Sequence, residues 1–125
     1  MTKYKSQGFS NTFKNARKGI RLVLKSERNI RVHFCVAALI LILAVGLDFS
    51  TTKICVLLLT ISSVICAEMV NSAIEFSLDA VFKNKYSTLV GMAKDIAAGA
   101  VMFNTFIAVA IGLVLFLPAI WDFFV

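Results

Sequence analysis

The 125 residues include one proline, one histidine, one tryptophan, three cysteines and only seven acids. These scarcities exclude several kinds of chemistry. One histidine cannot build a histidine metal cluster. Cys35, Cys55 and Cys66 lie apart within apolar runs, with no pair at metal-ligand or redox spacing, and read as packing residues. Neither a glycine-rich phosphate loop nor a G-x-S-x-G nucleophile turn is present, so a nucleotide would have to bind without the usual motif. No secretory signal is expected. The first apolar run begins only after a long basic segment, and no small-residue cleavage motif follows it.

What the chain has in excess is apolar surface: 59% of residues are hydrophobic and the mean hydropathy is +0.86. A chain this short cannot hide that surface in a core of its own. The expected class is an all-α integral membrane protein of one domain. Charge is unevenly placed. Residues 1–31 carry Lys3, Lys5, Lys14, Arg17, Lys18, Arg21, Lys25, Arg28 and Arg31 against Glu27 alone, a net +8, and the remainder is −2. Beside membrane spans, such an arm suits anionic lipid headgroups better than nucleic acid.

In chain order, residues 1–31 form a basic amphipathic surface segment. Phe9, Phe13, Ile20, Val23 and Leu24 recur at helical spacing over residues 9–31, while Lys14, Lys18, Arg21, Lys25 and Arg28 draw a basic stripe along another face. That pattern predicts a helix lying in the membrane interface. Helical spans are expected over 32–49, 54–82 and 92–121. His33 stands at the entrance of the first as a hydrogen-bonding interfacial residue. Ser50 or Thr51 is expected to cap the second, and Pro118 stands where the third tolerates a break. Three spans put the termini on opposite sides. The basic arm and the loop bearing Lys83 and Lys85 share one side, which the positive-inside bias makes cytoplasmic, with the C-terminus outside. A multi-pass protein of the cell (inner) membrane is expected.

The second span turns acidic in Ala67–Phe82. On a helix, Glu68, Glu75 and Asp79 fall within roughly 20° of one line, flanked by Asn71 and Ser72. Carboxylates at membrane depth are rare and face a bundle interior, a partner or a metal ion. Glu75 with Glu27 could supply the carboxylate pair that magnesium takes alongside phosphate oxygens. Glu68, deeper in the span, suits a general base working on a hydroxyl. Asn71 could orient either carboxylate, and Lys94 could neutralise phosphate charge with Asp95 holding the lysine in place. Blander readings stand beside these. Glu75 and Asp79 could be solvated interfacial acids, and Lys94–Asp95 a surface pair. Glu68 and Glu75 could also line a non-enzymatic, oligomeric cation or proton pathway.

EMVNSAIEFSLD (Glu68–Asp79), followed by GMAKDIAAGAV (Gly91–Val101), resembles the two-part signature of the prokaryotic diacylglycerol kinase family, with the likeness running over about residues 13–116. That resemblance implies a small homotrimeric membrane kinase that uses magnesium and ATP to phosphorylate a lipid alcohol, with sites formed between subunits. It implies Glu68 as catalytic base, Glu27 and Glu75 as metal and nucleotide ligands, and Asn71, Tyr86, Lys94 and Asp95 as nucleotide-binding residues. Ser72 and Arg31 join Glu68 in the expected substrate-binding set. Glu27-Arg28-Asn29-Ile30-Arg31-Val32-His33-Phe34 is similar to the signature of the undecaprenol kinase branch, which implies undecaprenol as acceptor with diacylglycerol as the alternative.

Overall fold

The computed structural model describes residues 8–125, and every regular element among them is an α-helix. Lys3 and Lys5 of the basic arm lie outside the described residues. The helices are α1 (Phe9–Ser26), α2 (Arg28–Gly46), α3 (Thr51–Phe82) and α4 (Thr88–Phe124). The last three are long and apolar enough to cross a membrane.

The helix expected to run to residue 31 divides instead at Glu27. That residue is extended, at φ −108° and ψ 107°, and serves both as C-cap of α1 and N-cap of α2. A side chain beyond the break supports it. Arg31 Nη1 donates to the carbonyls of Leu24 at 2.8 Å and Lys25 at 3.0 Å, satisfying acceptors that the end of α1 leaves without helical partners. The first span therefore starts at Arg28, before the expected Val32.

At its other end, α2 closes with Asp48 in the left-handed region (φ 55°). Asp48 N–H reaches Val45 O at 3.0 Å and Phe49 N–H reaches Ala44 O at 3.0 Å, a Schellman closure. Ser50, not Thr51, caps α3 by accepting from Lys53 N–H. Lys83 and Asn84 turn left-handed after α3, and Ser87 caps α4 by accepting from Val90 N–H at 3.2 Å. The helix that carries the third span therefore opens at Thr88, four residues before Met92. It continues through Pro118 to Phe124.

Packing follows a seam seven residues apart. Ile30, Ala37 and Ala44 on α2, Leu57 and Val64 on α3, and Val90 and Ala97 on α4 are the buried apolar positions of the spans. A seven-residue repeat keeps one stripe of each helix toward its neighbours. Alanine at several of these positions lets the backbones approach closely. The other faces stay uncovered within one chain: Leu59 and Val114 are each 72% exposed, as expected for surface meeting lipid or another subunit. One polar clamp fastens α3 to α4 along the spans. Asn104 Nδ2 donates to Ser63 O at 2.8 Å, and its Oδ1 accepts from Ser63 Oγ at 3.2 Å.

Length places the acids. At 1.5 Å per residue, α3 is about 48 Å long and α4 about 55 Å, whereas the hydrocarbon core is about 30 Å thick. Both helices outrun the membrane. Measured from Thr51, Glu68 lies about 26 Å along α3, near the far edge of a core that began there, and Glu75 and Asp79 lie about 10 and 16 Å beyond Glu68.

Candidate active site

Glu68 is the deepest acid, and its side chain is only 14% exposed. His33, near the start of α2, meets it: Nε2 lies 3.2 Å from Glu68 Oε1, with the imidazole 29% exposed. The expected interfacial histidine thus has a specific partner 35 residues away.

His33 also stands in the wall of an apolar cleft of about 390 Å³ between α2, α3 and α4. Val36, Ile40, Leu57, Ile61, Ala108 and Phe116 are among its lining residues. The α2 residues along it run from Val32 to Leu43, about 17 Å of helix axis. That length fits an extended hydrocarbon chain, and the cleft has the half-buried carboxylate beside its His33 end.

One turn further along α3, Ser72 is buried and Asn71 half-buried. Asn71 Oδ1 is buried with no hydrogen-bond partner among the described residues. Such an acceptor costs free energy until something donates to it. It borders a cavity of about 270 Å³ whose other walls include Ala67, Ile74, Ala97 and Ala100.

A pocket lined by several charged residues, of about 260 Å³, lies where α3 leaves for α4. Asp79, Asn84, Lys85, Tyr86, Lys94 and Asp95 line it. Lys94 does not take Asp95 as its partner: Nζ donates to Asp79 Oδ1 at 2.6 Å. Adjacent residues on a helix point about 100° apart, so Asp95 cannot readily fold back onto Lys94, whereas Asp79 on the facing helix can reach it. Asp95 is left exposed on the pocket wall. Tyr86 is largely exposed but leans on the first turn of α4. A Cβ added at Gly91 would come within 3.1 Å of its Oη, so glycine there makes room for the ring.

Glu27 and Glu75 are both half-buried, Glu27 at the α1–α2 break and Glu75 on the same α3 face as Glu68. No cluster of three or more His, Cys, Asp or Glu side chains able to hold a metal occurs among the described residues. A zinc-like cage is therefore not formed by them. Two carboxylates, Glu27 and Glu75, match in number what magnesium commonly takes from a protein. The unpartnered Asn71 oxygen lies one turn from both Glu68 and Glu75, where it can accept from a donor brought by a ligand or by water.

Arg31 is engaged at the end of α1 rather than standing open. The sequence reading missed both cross-helix partners, His33 for Glu68 and Asp79 for Lys94. Cys35, Cys55 and Cys66 are free and lie exposed on the outer faces of their helices rather than packed within the chain.

A family model described as prokaryotic diacylglycerol kinase matches residues 14–116. An undecaprenol kinase from Bacillus subtilis (strain 168) is 34% identical over 110 residues, covering 88% of this chain and 89% of the relative. A diacylglycerol kinase from Synechocystis sp. is 33% identical over 107 residues, covering 86% of this chain and 61% of the longer relative.

Proposed function

The chain belongs to the prokaryotic diacylglycerol kinase family, and from that premise we propose that it transfers the γ-phosphoryl group of ATP to undecaprenol. The observation that carries this reading is the half-buried Glu68 carboxylate beside one end of a long apolar cleft. An acceptor chain lying in the cleft would bring its terminal hydroxyl to that carboxylate.

Glu68 removes the hydroxyl proton as the alcohol oxygen attacks the γ-phosphorus. The bond to the β–γ bridging oxygen breaks in line, and ADP leaves without a phosphoenzyme. Positioning and charge neutralisation supply most of the catalysis in such a transfer. Magnesium, when bound with ATP, neutralises phosphate charge, and Glu27 and Glu75 are the carboxylates that would hold it. Lys94, aimed by Asp79, faces the phosphates. Asn71, Asp95 and Tyr86 orient the nucleotide, Ser72 stands one turn from Glu68 on the acceptor side, and Arg31 serves the acceptor through the α1–α2 break that it holds.

The basic face of α1 lies on anionic lipid, with the N-terminus and the site on the cytoplasmic side of the inner membrane and the C-terminus outside. The resemblance implies assembly as a homotrimer with neighbouring copies completing each site, and the uncovered apolar helix faces leave room for such neighbours. Undecaprenol is the preferred acceptor because Glu27–Phe34 resembles the undecaprenol kinase signature, with the Bacillus relative in support. Diacylglycerol is the second reading, supported by the Synechocystis relative.

Side-by-side phosphorylation of the two lipids by one preparation with magnesium and ATP tests the acceptor. Failure to label any lipid alcohol, together with ion flux into liposomes, would replace the kinase with a conducting assembly.

A further inference from the structure

We propose that His33 is the positioning residue for Glu68: its imidazole holds one carboxylate oxygen so that the other faces the acceptor hydroxyl. The inference rests on the reading of Glu68 as the base. An ionised carboxylate only accepts hydrogen bonds, so the 3.2 Å contact requires the hydrogen on His33 Nε2. Oε1 is then committed to His33, and Oε2 is left to take the proton. The contact joins α2 to α3, so it is a product of the tertiary packing and not of local helix geometry.

Two further features favour this role over a merely interfacial histidine. Both partners are half-buried, where a hydrogen bond is less weakened by competing water. His33 is also the one titratable residue in the wall of the apolar cleft, whose other polar members are Thr60 and Thr105. The group that would orient the carboxylate is thus the group that meets the polar end of an apolar chain. A carboxylate on a free glutamate side chain samples several rotamers, and each misaligned one lowers the fraction of productive encounters.

The test uses the full chain in detergent micelles with undecaprenol, magnesium and ATP. His33→Ala is expected to lower kcat roughly 10- to 100-fold, with the KM for ATP held within about twofold. His33→Gln, whose amide nitrogen reaches about as far as Nε2, is expected to retain most of the turnover. His33→Asn, whose amide nitrogen reaches only as far as Nδ1, is not. Full kcat in His33→Ala overturns the proposal. If His33→Ala folds poorly, the Gln and Asn variants decide, and equal turnover in those two overturns it.

The two readings fail differently. An active Glu68→Gln enzyme removes the base and this proposal together. An inactive Glu68→Gln with a fully active His33→Ala removes His33 alone.

Discussion

Lys94 on α4 donates to Asp79 on α3 across 2.6 Å, bypassing its chain neighbour Asp95. This pair ties together the ends of the two longest helices and fixes a cation on the wall of the polar pocket. Asp79 is therefore tied to Lys94 and is more than a marker of where α3 meets water.

Asp79→Asn is expected to raise the KM for ATP about 3- to 30-fold by freeing the ammonium. Lys94→Met should do at least as much, and the double variant should be no worse than Lys94→Met alone, because the two residues act as a unit. Steady-state nucleotide titrations check this. Additive losses would show that Asp79 acts independently of the lysine.

Glu75→Gln keeps the shape of the side chain but removes a hard anionic oxygen. The magnesium concentration needed for half-maximal rate is expected to rise at least about tenfold. Magnesium titration at fixed ATP measures it, and an unchanged requirement would argue against a metal role for Glu75.

Asn104→Leu removes both contacts to Ser63 from the α3–α4 interface. Such contacts between membrane helices contribute about 0.5–1.5 kcal/mol, so a modest drop in thermal stability is expected with kcat little changed. Thermal unfolding in detergent tests the loss. A large fall in kcat with unchanged stability would place Asn104 in the chemistry instead.

Much of this arrangement was legible in the residues. Hydropathy alone located three spans, and the 100° turn per residue put Glu68, Glu75 and Asp79 on one face of α3. The helix ends were less visible. The amphipathic pattern continues across Glu27, so nothing in the periodicity revealed that Arg31 would reach back and close α1 seven residues earlier. Pro118 falls inside α4, which runs through it as the expected span to residue 121 did.

The partner choices were the hardest to read because they depend on how helices face each other. One signal was available. Asp79 and Lys94, like Ser63 and Asn104, sit at nearly equal distances on either side of the α3–α4 loop, as residues facing each other in an antiparallel hairpin must. His33 and Glu68, 13 and 17 residues from the α2–α3 loop, carried nearly the same symmetry, so that pairing was open to the same reading.

Transfer of labelled γ-phosphate from ATP to undecaprenol, by the unaltered chain and by Glu68→Gln in the same micelles, tests the central claim most directly. The unaltered chain is expected to label the lipid, and Glu68→Gln to bind ATP normally while losing at least about a thousandfold in turnover. Near-normal labelling by Glu68→Gln, or no labelled lipid from the unaltered chain, would contradict it.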